Sequence, residues 1–208
     1  MLTDTIQKLA LQLFDIGAIK FGAFRLKLHD KKPDAPLSPI YIDLRVLRSF
    51  PNVMHSAVEV YRELSRGLKF DVYADIPTAA TPIVAILSHL TGVPMISPRK
   101  EEKEHGVKRP IDGVFQEGQV AVLIDDLITK ADSKLEAISV LEENGLKVHD
   151  IVVLVDREQG GIEELSKRGY TCHTALKLQE LLKFYLDSRK ISEEQYARTI
   201  DYLKATGS

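Results

Sequence analysis

The sequence predicts an α/β protein with a central, mainly parallel sheet flanked by helices and a small N-terminal hood. Three observations support this. Beyond about residue 70, strand-like apolar runs alternate with amphipathic stretches of helical length, the order that builds βαβ units. Two of those runs, "VAVLI" (120–124) and "IVVLV" (151–155), are apolar at every position, as fits strands covered on both faces. About the first 50 residues break the alternation, which makes them a hood subregion within a single domain spanning 1–208.

In chain order, Leu2, Ile6, Leu9 and Leu13 fall at helical spacing, with Thr3 or Asp4 as N-cap. "GAIKFGAFRLKL" (17–28) reads as a turn and a short strand. "HDKKPDAPLSP" (29–39) is polar and proline-rich, an exposed loop. "IYIDLR" (40–45) is a strand. Val53 to Arg66 is an amphipathic helix using Met54, Ala57, Val58, Tyr61 and Leu64. "FDVYADI" (70–76) is a strand. The helix "TPIVAILSHLTG" (81–92) has Pro at its start and Gly at its end, the usual asymmetry. "VPMIS" and "VAVLI" are strands, and "SKLEAISVLEENG" (133–145) is a helix stopped at Gly145. "DIVVLVD", the helix "GIEELSKRG", the strand "YTCHTAL" and the helix "LQELLKFYL" follow. Ser192 and Gln195 form a capping box for the last helix.

Composition excludes several function classes. Lys plus Arg total 28 against 30 Asp plus Glu, so no basic excess marks a nucleic-acid or membrane-surface protein. A single cysteine, Cys172, rules out an internal disulfide and cysteine-built metal clusters, and fits a reducing compartment. The N-terminus lacks the layout of a signal peptide and no apolar run reaches membrane-span length, so a cytoplasmic location is expected. His29, His55, His89, His149 and His173 show no metal-ligand spacing.

The stretch "VAVLIDDLITKADSK" (120–134) raises the question of function. An apolar strand runs into two carboxylates, Asp125 and Asp126. In open parallel sheets, ligands bind at the C-terminal ends of the strands. A βα turn also lies against a helix N-terminus, where free N–H groups attract anions. Thr129 and Ser133 add hydroxyl donors. Two carboxylates beside an anion cradle suit a ligand with vicinal hydroxyls and a nearby phosphate, such as a ribose phosphate. The plainer alternative stays open: Asp132 or Ser133 caps the helix while an aspartate shapes the turn.

"VLIDDLITKADS" resembles the phosphoribosyl-diphosphate loop of type I phosphoribosyltransferases. "FDIGAIKFGAFRLK", "SPIYIDLR", "PMISPRKEEKEHGVKRPIDG" and "VVLVDREQGG" narrow the resemblance to the orotate phosphoribosyltransferase family, in that family's order from about Leu13 to Gly161. The resemblance implies a type I phosphoribosyltransferase-like fold. It also implies transfer of ribose 5-phosphate from phosphoribosyl diphosphate to orotate, with Mg²⁺ carried by the diphosphate and no direct protein metal site. Asp125 and Asp126 would hold the ribose hydroxyls, and Thr129 and Ser133 the phosphate. "RKEEKEHGVKR" places five cations in eleven residues. Without the resemblance it reads as a solvated charged loop. With it, Arg99 and Lys100 would bind diphosphate, while Lys103 and His105 would act on the neighbouring subunit's site, in a homodimer with shared active sites. Lys27 would lie over orotate and ribose, and the Arg157 guanidinium would take the orotate carboxylate.

The sequence departs from the family at three positions. Ala131 stands where the family usually has glycine and Asp75 where it has a small residue, and Asp132 adds a further acid to the phosphate loop. On sequence grounds Ala131 is expected to be strained, since glycine there would allow positive φ. The acids are expected to oppose the phosphates, unless Lys130 offsets Asp132 or Asp132 turns away as an N-cap. Two readings remain open at this point: an active transferase, or a non-catalytic relative that binds a nucleotide or related metabolite as a sensor.

Overall fold

The structure is a computed structural model, and it describes residues 2–26, 28–99 and 110–206. Helix α1 (Asp4–Asp15) leads into a two-stranded antiparallel sheet, β1 (Ile19–Phe24) and β2 (Ser38–Ile42). A short helix α2 (Leu28–Lys31) lies between them, and a 3₁₀ turn (Leu44–Ser49) follows. These elements make the hood. Then come α3 (Pro51–Leu64), β3 (Val72–Asp75), α4 (Thr81–Thr91), β4 (Met95–Pro98), β5 (Ile111–Asp112), β6 (Val120–Ile128), α5 (Asp132–Glu143), β7 (Lys147–Asp156), α6 (Gly161–Lys167), β8 (Thr171–Lys177), α7 (Leu178–Asp187) and α8 (Glu193–Thr206).

The main sheet has the order β5-β4-β3-β6-β7-β8. All its pairings are parallel except β4 with β5. The apolar runs of β6 and β7 serve both faces. Val122, Ile124, Val152 and Leu154 join the core on one side, and Ala121, Leu123, Ile151 and Val153 the core on the other. Two-residue alternation thus fills two cores from one continuous run. Among the described residues, no helix is long and apolar enough to cross a membrane.

Two expectations need correction, and one strand was not foreseen. Strand β6 does not stop at Ile124: it continues through both aspartates to Ile128, pairing Leu127 with Val155 and Ile128 with Asp156. The poor strand propensity of aspartate yields to the ladder offered by a long β7. The loop at 29–39 is not wholly exposed. It holds α2, and His29 is buried with its ring closing the turn. Leu26 N donates to His29 Nδ1 at 2.8 Å, and Nε2 lies 3.1 Å from the Ala35 carbonyl. The edge strand β5, two residues long, carries too little pattern to be read from sequence. The capping box on α8 forms as expected, with Gln195 N to Ser192 Oγ at 3.1 Å and Ser192 N to Gln195 Oε1 at 3.0 Å.

Candidate active site

The C-terminal end of β6 opens into a cleft of about 340 Å³. Asp125, Asp126, Leu127 and Ser133 line one side. Ile42, Asp43 and Arg45 from the hood line another, and the β3–α4 turn, Ile76 to Ala79, closes the third. Arg48 donates to the Thr78 carbonyl and ties the hood to that turn. A second cavity of about 350 Å³ shares Ile76, Pro77 and Ser133 with the cleft and extends to Arg99.

The two acids are not presented alike. Asp125 is 5% exposed. Its Oδ2 accepts from Lys134 Nζ at 2.5 Å, its Oδ1 from the Asp126 amide at 2.9 Å, and its carbonyl from the Tyr61 hydroxyl at 2.8 Å. Asp126 is half-buried, and its Oδ1 accepts from the Leu127 amide at 2.8 Å. Burial, and then the charge of Asp125 next to it, push the Asp126 carboxyl up to about 7, against the pull of Lys134. The two acids expected to hold the ribose hydroxyls both line the cleft but are placed differently. Asp125 is engaged inward by Lys134, and Asp126 is the acid with room for a ligand.

The β6–α5 turn also differs from expectation. Ala131 has φ −28° and ψ 0°, so it never enters the left-handed region, and it is 2% exposed. The turn is closed by Asp132 N donating to the Lys130 carbonyl. The Ala131 carbonyl accepts from the amides of Lys134 and Leu135, both at 2.9 Å. No positive φ is used, so no glycine is required. Ala131 is the N-cap and no side chain caps α5, so the capping role considered for Asp132 or Ser133 is not observed. Asp132 is exposed in the first turn of the helix and is absent from the cleft lining.

Asp75 behaves similarly. It is fully buried at the end of β3, and the Thr81 hydroxyl in α4 donates to its Oδ2. It does not line the cleft, which the following residues form. Neither acid lines the cleft, although Asp132 opens α5 next to Ser133, which does.

Neither Thr129 nor Arg157 is in the lining of the cleft. The Arg157 amide donates to the Ile128 carbonyl at 3.0 Å. Its Nε and one terminal nitrogen are buried without a hydrogen-bond partner, and burial pulls its pKa down. Two buried N–H groups without a hydrogen-bond partner among the described residues are costly. The Thr129 carbonyl faces Gly161: a Cβ there would lie 2.5 Å from that oxygen, which explains the second glycine of "DREQGG". Arg99 forms a two-pronged pair with Asp112, with Nε to Oδ2 at 2.8 Å. Lys27, Lys100, Lys103 and His105 lie outside the described residues.

Sequence reasoning passed over Asp43 and Arg45, although "IYIDLR" contains both. Arg45 Nε donates to Asp43 at 2.6 Å and holds its carboxyl below the usual range. It also missed Lys134, which was legible: with Ala137, Ile138 and Leu141 it lies on the buried face of α5, where a lysine needs a partner. Among the described residues, no three His, Cys, Asp or Glu side chains form a metal-ion group.

No protein-family model matches the chain. Individual relatives do. The orotate phosphoribosyltransferase of Pyrobaculum islandicum is 36% identical over 193 residues, covering 92% of this chain and 96% of the relative. The bifunctional enzyme PyrF/PyrE of a Nostoc species is 37% identical over 191 residues, covering 92% of this chain and 39% of that enzyme. The structure of Leishmania donovani UMP synthase superposes with a TM-score of 0.86 at 37% identity, covering 98% of this chain and 43% of that one. The chain thus spans about two fifths of these two longer proteins and nearly all of the shorter one. With the cleft at the end of β6 and identity maintained across almost the whole of the shorter relative, the chain belongs to the orotate phosphoribosyltransferase family.

Proposed function

We propose that this protein transfers the 5-phosphoribosyl group from phosphoribosyl diphosphate to a ring nitrogen of orotate, yielding orotidine 5'-phosphate and diphosphate in pyrimidine nucleotide synthesis. The observation that carries the reading is Asp126, a carboxylate at the end of a buried parallel strand, facing a cleft closed by the hood and the β3–α4 turn. The family relationship supports the substrates.

Asp126 accepts hydrogen bonds from the ribose hydroxyls and favours the positive charge that builds at the anomeric carbon as the C–O bond lengthens. Ser133 and the start of α5 receive the 5-phosphate, where helix amides and dipole favour an anion. Arg157 takes the orotate carboxylate, which supplies the partner its buried nitrogens lack. The donor's diphosphate extends along the second cavity toward Arg99. Family resemblance adds Lys27 at the base, and Lys100, Lys103 and His105 at the diphosphate, Lys103 and His105 coming from the second subunit of a homodimer.

The residues present suit a magnesium ion that arrives on the donor. No group of three candidate ligands stands ready among the described residues, and Asp125 is already engaged by Lys134. Asp126 is the side chain that would face such an ion, and what the ion supplies when bound is neutralisation of the leaving diphosphate. A reducing, cytoplasmic setting agrees with the single cysteine, whose thiol burial pushes up to about 12.

The test is direct. Purified protein with Mg²⁺, phosphoribosyl diphosphate and orotate should consume orotate, followed by its absorbance. A folded protein that shows no consumption at high concentration would replace this reading with that of a non-catalytic binder.

A further inference from the structure

Lys134 is a buried charge that none of the steps above uses. It is 4% exposed, yet each proton of its ammonium has an acceptor: Asp125 Oδ2 at 2.5 Å, the Leu127 carbonyl at 2.5 Å and Ser133 Oγ at 3.5 Å. Those three partners bracket the functional segment. Asp125 and Leu127 flank Asp126 in β6, and Ser133 opens α5 on the far side of the turn.

We infer that Lys134 is a positioning residue for donor binding: from beneath the cleft it fastens the strand on both sides of Asp126 to the start of α5. The inference rests on the reading of this cleft as the donor site. The reasoning is geometric. The Oδ1 of Asp126 accepts from the Leu127 amide, and the Asp126 amide donates to Asp125. The direction of Asp126 therefore depends on the peptide units either side of it. One ammonium grips the carboxylate before it and the carbonyl after it, so rotation of either unit would break a buried charge-assisted bond. The third, longer contact reaches the residue that lines both the cleft and the adjoining cavity. The turn between them contains no glycine and no side-chain cap, and the ammonium supplies a cross-link there instead. Neutralising Asp125 alone would not require the bonds to Leu127 and Ser133.

Two variants test this, Lys134→Met and the double variant Lys134→Met with Asp125→Asn. Donor affinity is measured by calorimetry with phosphoribosyl diphosphate and Mg²⁺, without orotate, and folding by thermal melting. Lys134→Met alone strands a buried carboxylate and should melt early. The double variant removes both charges of the pair and should melt near the wild type. Both are expected to bind donor at least tenfold more weakly, while the double variant's KM for orotate stays within twofold of wild type. Wild-type donor affinity in the double variant would overturn the inference and reduce Lys134 to a counter-charge, even if the single variant does not fold. Equal losses for donor and orotate would also overturn it. A wild-type protein that binds no donor would sink this inference and the proposed function together. One that binds donor but transfers nothing to orotate would strike the proposed reaction alone.

Discussion

Asp126→Asn separates what the site does from what it costs. The carboxyl sits at about 7 in the folded protein against an ordinary value of 3.8, a rise of roughly three pH units. Each unit corresponds to about 1.4 kcal/mol, so holding Asp126 ionised in the fold costs up to about 4 kcal/mol. The sign follows from proton binding. Between about pH 4 and 7 the folded protein holds a proton that the unfolded chain has released, so stability falls as pH rises through that window and stays reduced above it. Asparagine keeps the shape and an oxygen for the Leu127 amide but never ionises. At pH 8 the variant should therefore be the more stable protein by up to about 4 kcal/mol in urea unfolding, and more than half of the gap should close by pH 5. Turnover should fall about 100-fold or more, because the charge that favours the ribosyl transition state is gone. An asparagine variant with wild-type stability at both pH values would refute the burial argument. One with wild-type turnover would refute the role of Asp126.

Two further outcomes follow from the geometry. Replacing Arg157 with Met should raise the KM for orotate about 100-fold, leave donor affinity within twofold, and make the ligand-free protein no less stable, since two buried unpaired N–H groups disappear; steady-state kinetics and melting curves check this. Ala131→Gly, which the sequence alone suggests as a repair of the phosphate loop, should not tighten donor binding. Ala131 already has negative φ and a buried methyl, so glycine should cost about 1 kcal/mol or more in unfolding experiments, and tighter calorimetric binding would show that the turn is strained after all.

Much of the architecture was legible because burial writes itself into the chain. The continuous apolar runs of β6 and β7, the Pro and Gly bounding α4, and the Ser192–Gln195 box each answer a local requirement: two covered faces, helix ends, free amides. The cleft's position was legible too, since open parallel sheets present clefts at the C-terminal ends of their strands. Less visible was the direction each side chain takes. Asp75 and Asp132 read as intruders in two anion cradles, yet one bonds Thr81 inside the fold and the other faces solvent. Ala131 read as a misfit because glycine is usual there, although this turn never needs positive φ.

The sequence by itself determined the α/β order, the strand that ends in two acids and the family to which the chain belongs, because periodicity and motif spacing are properties of the chain. The tertiary structure alone decided which acid is free. Asp125 and Asp126 are adjacent and chemically identical, and only the packing of α5 beneath β6 brings the Lys134 ammonium to the first. The physical reason is that a buried charge must be matched by contacts made across distant segments. The same holds for Arg157, whose unmet nitrogens follow from what surrounds them rather than from their neighbours in sequence.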